Sequence, residues 1–293
     1  MTAMRQWLWA SGNATARRTA TTALLLWLGA ALAAQAQTAP RPAAPGPAAS
    51  APAASEPNEI TTRRAAETRS FTDAQIIDGF FKVTFGAEYH TTERIDRIRK
   101  FDVPVRAYVD NRAEPDRSRQ VGDVIADIRK RIDKLDIAVT PDRRAANLVI
   151  TLVRDRDLDR TIASMFGREH ARKIERALEP QCLAGFRKDD SYRITRSEVI
   201  LVVDAGDFIF YDCAYEEILQ SLGPINDDQS VPWTMFNDDV QMGFFDLYDQ
   251  YLLNLLYHAR MRPGMTREEA RAVIDQVMPE VRTFVARTNG LPP

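Results

Sequence analysis

The densest run of chemically capable residues in this chain is Cys213-Ala-Tyr-Glu216-Glu217-Ile-Leu-Gln220-Ser-Leu-Gly223-Pro-Ile-Asn226-Asp227-Asp228. On a helix, Glu216 and Gln220 stand one turn apart on one face, with Glu217 beside them. A carboxylate at Glu217 has the chemistry of a general base, and its neighbours are spaced to hold a metal that activates water. Zinc prefers imidazole and thiolate, so one carboxylate with two neutral amides, Gln220 and Asn226, is a poor zinc set. No zinc and no other cofactor is expected. An all-oxygen set suits calcium better, and Asp227, Asp228, Asp238 and Asp239 would add charge if the two Asn-Asp-Asp runs fold together. The spacing is not that of an EF-hand loop. A plainer reading stands beside this one. Glu216 and Gln220 pair on a helix surface, Asn226 and Asn237 hold turns through their own backbones, and Met235 is a core residue.

The same run resembles the active helix of metzincin peptidases, His-Glu-x-x-His-x-x-Gly-x-x-His. In that family the first two His face the zinc from one helical face, the Glu polarises water, and the Gly turns the chain so that a third His returns. On this chain Glu217 matches the base and Gly223 the turn. Glu216, Gln220 and Asn226 occupy the three ligand positions, so every imidazole is replaced. His90, His170 and His258 all lie far from the run in sequence. The apolar segment Val199 to Val203 precedes the helix as a strand does in zincins. Trp233-Thr234-Met235-Phe236-Asn237 lies where a Met-turn would, with a long helix after it. The resemblance implies a zincin-like fold with its metal site dismantled.

A closer resemblance is to DUF2927, a family of exported bacterial proteins. Its characteristic run is carried here by Cys213, Glu216-Glu217, Leu222-Gly223, Asn226-Asp227 and Phe236-Asn237-Asp238. That likeness extends from the first helix to about Glu280, and it implies no particular activity.

Several elements must position these residues. Thr72-x-x-Gln75 is a capping box, with Phe71 placed to staple onto Ile76 and with Ile76, Ile77, Phe80 and Phe81 as the apolar face. Val103 to Tyr108 alternates like a strand that starts at a sheet edge, since Pro104 cannot donate to a ladder. Val121, Val124, Ile125, Ile128, Ile132 and Leu135 follow helical spacing. Leu148 to Val153 and Val199 to Val203 read as strands, with a helix from Ile162 to Leu178 between them. A helix begins around Phe210 and ends at Gly223. Phe244, Leu247, Tyr248, Tyr251, Leu252, Leu255 and Leu256 line a long helix. Thr266-x-x-Glu269 caps another, which Pro279 is expected to kink or end. The order predicts an α+β domain, α/β-like in its first part: a twisted mixed sheet followed by a helical C-terminal part.

The ends of the sequence predict export. Arg5, Arg17 and Arg18 precede the apolar run Ala23–Ala34, which closes on Ala34-Gln35-Ala36, so residues 1–36 read as a cleavable signal peptide. Residues 37–69 read as a disordered linker rich in Ala and Pro, and residues 70–293 as one domain. No later apolar run is long enough to span a membrane. With 39 basic and 41 acidic residues, of which the leader takes three Arg, the processed chain carries a net charge of −5. That balance excludes nonspecific nucleic-acid binding. The only two cysteines, Cys182 and Cys213, fall in the exported part, where a disulfide between them is expected.

These readings lead to a non-catalytic, zincin-like protein of the periplasm or medium that holds a peptide or protein partner. A metal-dependent hydrolase with Glu217 as base, and a structural envelope protein, are the alternatives.

Overall fold

The computed structural model describes Arg5–Trp9 and residues 56–86, 96–167, 182–224, 226–237 and 239–292. Most of the leader, His90, His170, Asp238 and residues 37–55 of the expected linker lie outside the described residues.

Five strands form a mixed sheet: β2 (Val105–Asn111), β3 (Ile137–Val139), β4 (Leu148–Val153), β5 (Cys182–Lys188) and β6 (Ile194–Val202), in the order β5-β6-β4-β2-β3. β4 is parallel to β2 and β6, and β3 is parallel to β2. β5 is antiparallel to β6. In the full chain β1 (Arg5–Trp9) runs parallel to β5 at the outer edge, Arg5 beside Leu183 and Trp9 beside Arg187.

The central strands are buried on both faces, which is why β4 reads Leu-Val-Ile-Thr-Leu-Val without polar alternation. Their side chains sort by the two-residue period. Val199 and Leu201 join a large core with α2 (Asp73–Thr84), α3 (Ser118–Arg131), α5 (Asp207–Gln220), α6 (Leu247–Tyr257) and α7 (Arg267–Asn289). Ile200 and Val202 face a smaller cluster with Leu158, Ile162 and Phe166 of α4 (Leu158–Phe166). The chain is thus a mixed sheet followed by a helical C-terminal region.

Both expected capping boxes form, Thr72 with Gln75 and Thr266 with Glu269. Four expectations need correction. Residues 58–66, placed in the linker by composition, form α1 (Asn58–Ala66). Its anchors lie far along the chain: Ile60 is buried, Arg63 stacks on Phe208 at 4.6 Å, and Arg64 stacks on Phe244 at 4.2 Å. β2 lies between β3 and β4, not at an edge, because Pro104 precedes the first ladder residue and Val103 remains outside the sheet, 54% exposed. α7 does not end at Pro279 but runs through it to Asn289. Pro279 stands on the exposed face, where water can take the carbonyl that loses its helical partner, while Val277, Met278 and Val281 hold both halves in the core. The helix expected from Ile162 begins earlier, at Leu158, and Gly167 with φ +88° follows Phe166; residues 168–181 lie outside the described residues.

Candidate functional site

β6 delivers the chain to α5 through a short turn clamped by Arg117. Its guanidinium donates to the Val203 carbonyl at 2.8 Å and to Asp207, the first residue of α5, at 2.7 Å. α5 then carries Asp212, Cys213, Glu216, Glu217 and Gln220. Cys213 is bonded to Cys182, the first residue of β5, so the helix is tied to the strand outside β6. The bond closes a loop with a sequence separation of 31, worth about 3–4 kcal/mol by chain entropy.

The polar face of α5 does not meet solvent. Glu216, Glu217 and Gln220 are 2%, 0% and 1% exposed. This is unusual for these residue types, which are rarely buried unless they are paired. Gln220 Nε2 donates to Asp227 Oδ1 at 2.8 Å and reaches Glu216 Oε1 at 3.4 Å. The i, i+4 pair expected on a surface therefore exists, but inside the protein. Among the described residues no group of three or more His, Cys, Asp and Glu side chains is placed to hold a metal ion.

Gly223 makes the turn that its position in the motif requires. Its φ is +142°, and a Cβ there would stand 2.3 Å from the Arg99 carbonyl oxygen, so a side chain meets backbone. The chain then returns to α2, not to α5. Asn226 donates its backbone N–H to the Val83 carbonyl at 3.1 Å and its side-chain amide to the Lys82 carbonyl at 2.9 Å. Both of its donors thus serve the C-terminal carbonyls of α2, which lack helical partners. Asn237 holds a turn by accepting the Asp239 N–H at 3.0 Å. Met235 is 2% exposed, a core residue.

Several buried groups around this seam have no counterpart in the motif. Asp249 of α6 accepts from the Thr234 hydroxyl at 2.6 Å and from the Met235 N–H at 2.7 Å, so it fastens the Trp233–Asn237 turn. Asp246 caps the same helix by accepting the Asp249 N–H at 3.0 Å. Burial, and for Asp246 also repulsion from Asp249, pushes these two carboxyls above the usual range. Asp212 accepts the Met242 and Gly243 N–H groups at 2.7 and 3.0 Å, and burial raises it to about 6 despite those bonds. Lys100 donates to the Leu256 and Met261 carbonyls at 2.8 and 3.0 Å and is lowered by burial to about 7. Arg99 is fully buried, donates to the Thr84 and Gly86 carbonyls, and is lowered to about 9 by burial. The Asp246-x-x-Asp249 spacing, an N-cap signal before an apolar helix, is the sequence signal by which this pair could have been found. His258 pairs with Glu280 at 3.2 Å, on a different stretch of chain.

The model of one family, described as a protein of unknown function (DUF2927), matches residues 73–276, more than half of the chain. No curated protein and no solved structure matches.

Proposed function

From the premise that the chain belongs to the DUF2927 family, we propose that it is a non-catalytic, zincin-like protein of the cell envelope that binds a peptide or protein partner. The carrying observation is the complete burial of Glu217. A general base must come within hydrogen-bond reach of substrate or of one intervening water. Here the base position lies inside the fold, and the flanking ligand positions are engaged with neighbours of their own. Gln220 is turned to Asp227, and Asn226 is turned to α2.

The zincin-like part of the reading is supported by the order of parts. β6 leads straight into the helix of Glu217, Gly223 turns the chain, the Trp233–Asn237 turn follows, and α6 comes after it. The partner-binding part is supported by the sheet edge. β5 offers its outer side to a parallel strand, and in the full chain Arg5–Trp9 takes that place. Removal of a leader after Ala36 would free this edge for an extended peptide held by backbone pairing. Periplasm or medium is the proposed location, on the strength of that leader and of the disulfide. The structural reading draws on the same burial and differs in holding no partner.

Two measurements separate these readings. Dialysed protein is assayed for metal and for cleavage of a broad peptide library, with Glu217→Gln as control. One zinc per chain, or cleavage lost in that variant, refutes the non-catalytic half and leaves the hydrolase. Calcium bound stoichiometrically would instead assign a cation to the oxygen cluster. Displayed peptides and envelope extracts are then presented to the immobilised protein; retention of neither removes the partner and leaves the structural reading.

A further inference from the structure

We propose that the cavity between the α1–α2 junction and the last turns of α7 binds the C-terminal carboxylate of a peptide whose final side chain is apolar. The inference rests on the partner-binding reading and gives the partner a chemistry. The cavity measures about 610 Å³, and Arg69 and Arg282 both line it, with Tyr251, Ala286 and Leu291 as an apolar wall. A charged end and an apolar body are the two things such a lining can take.

The cationic side is partly preorganised. Arg282 donates Nε–H to Asp73 at 2.6 Å and an Nη2 hydrogen to the Phe71 carbonyl at 2.8 Å, and it stacks 5.5 Å over Tyr251. Asp73 balances that charge. Arg69 is exposed and has no carboxylate at ion-pair distance among the described residues, with Glu67 near enough to feel its charge. Guanidinium groups recognise carboxylates through charge-assisted, often bidentate, hydrogen bonds.

The peptide character of the ligand comes from the backbone. The segment Thr68–Phe71 borders the cavity and belongs to neither helix nor strand. The amides of Thr68, Arg69, Ser70 and Phe71 donate to no group among the described residues, whereas Thr72 gives its N–H to Gln75. An extended ligand can pair with such a strip while its end reaches the arginines. Thr68 and Phe71 also border a second cavity, of about 330 Å³, whose charged lining mixes Arg63 with Glu67, Asp239 and Asp246.

The test uses the full chain and fluorescein-labelled Gly-Ala-Ala-Ala-Leu, as free acid and as C-terminal amide, followed by fluorescence anisotropy. The free acid should bind about tenfold or more tightly than the amide, the worth of one charge-assisted bond. Arg69→Ala should weaken the acid about tenfold with an unchanged thermal midpoint, and Arg69→Lys should recover part of the loss. Equal binding of acid and amide, indifference to Arg69→Ala, or no binding of either peptide overturns the proposal. Binding of fluorescein-labelled 12-aminododecanoate where neither peptide binds overturns it in favour of a lipid-type acid. An envelope partner whose retention ignores Arg69→Ala sinks this site alone and leaves the partner-binding reading standing.

Discussion

The polar face of α5 and the junction between α1 and α2 are opposites. The first carries the residue types of an active site, yet Glu216, Glu217 and Gln220 are closed off and engaged. The second was composed like the end of a linker, yet it borders two cavities and keeps its backbone amides available. The lesson is physical. Motif spacing records which side chains share a helix face, and burial decides whether that face is a reaction centre or an internal seam.

The contrast can be broken by stability measurements, since an internal seam should be costly to disturb and an open junction should not. The largest effect is expected from the disulfide. Replacing Cys182 and Cys213 by Ser should lower unfolding free energy by about 3–4 kcal/mol in denaturant titration. A loss below about 1 kcal/mol would mean that β5 and α5 stay together without it. Next comes Gly223→Ala, which puts a side chain at φ +142° against the Arg99 carbonyl. About 1–3 kcal/mol is expected from the backbone conformation alone, with overlap added. An unchanged midpoint would show that the turn relaxes freely and that the glycine is incidental.

The third test is pH. Asp212, raised to about 6, binds its proton more tightly when folded, so its contribution is full below the ordinary carboxylate range and is lost as pH rises to about 6. Lys100, lowered to about 7, works the other way: the unfolded chain holds that proton longer, so stability rises with pH above about 7. The melting temperature should therefore pass through a minimum near neutrality. Asp212→Asn should flatten the acid limb by on the order of 2 kcal/mol. An acid limb unaltered in that variant would assign it to other carboxyls. The smallest effect belongs to the junction. Arg69→Ala should change stability by no more than about 0.5 kcal/mol. A loss comparable with that of Gly223→Ala would erase the distinction between the two regions.

What the sequence made legible was local. The capping boxes at Thr72 and Thr266 form as read, because each is settled by residues three apart. β4 was legible from its apolar run, and β6 only in its second half; α5 was read to begin around Phe210, whereas it begins at Asp207. β5 was not: Cys-Leu-Ala-Gly-Phe-Arg-Lys has no strand alternation, and it is a strand because β6 pairs with it. α1 was illegible for a similar reason. It buries only Ile60, and its remaining support is two arginines stacked on aromatic rings far along the chain. At the candidate site Glu216, Glu217 and Gln220 share α5 and Gly223 follows its end, as their spacing implies. The burial was not, because no local pattern announces that a Glu-Glu pair will point inward. Asn226 was given a ligand position by the resemblance and a turn by the plainer reading, and the long-range contact with α2 claims it instead.

Trp233 stands where the two regions meet. Its ring lies 5.7 Å from Phe71 and 5.7 Å from Tyr248, and the next two residues are fastened to Asp249. Of the four tryptophans in the sequence, Trp7, Trp9 and Trp27 all precede Ala36. A chain processed at that point would emit from a single indole, lodged between the buried seam and the open junction. Its fluorescence would respond to ligand entry beside Phe71 and to unfolding of the turn above α6, and the two signals are separable by titrating one while holding the other fixed. Unprocessed precursor, with its three extra indoles, would differ in emission from the mature form, so export could be followed optically without any attached dye.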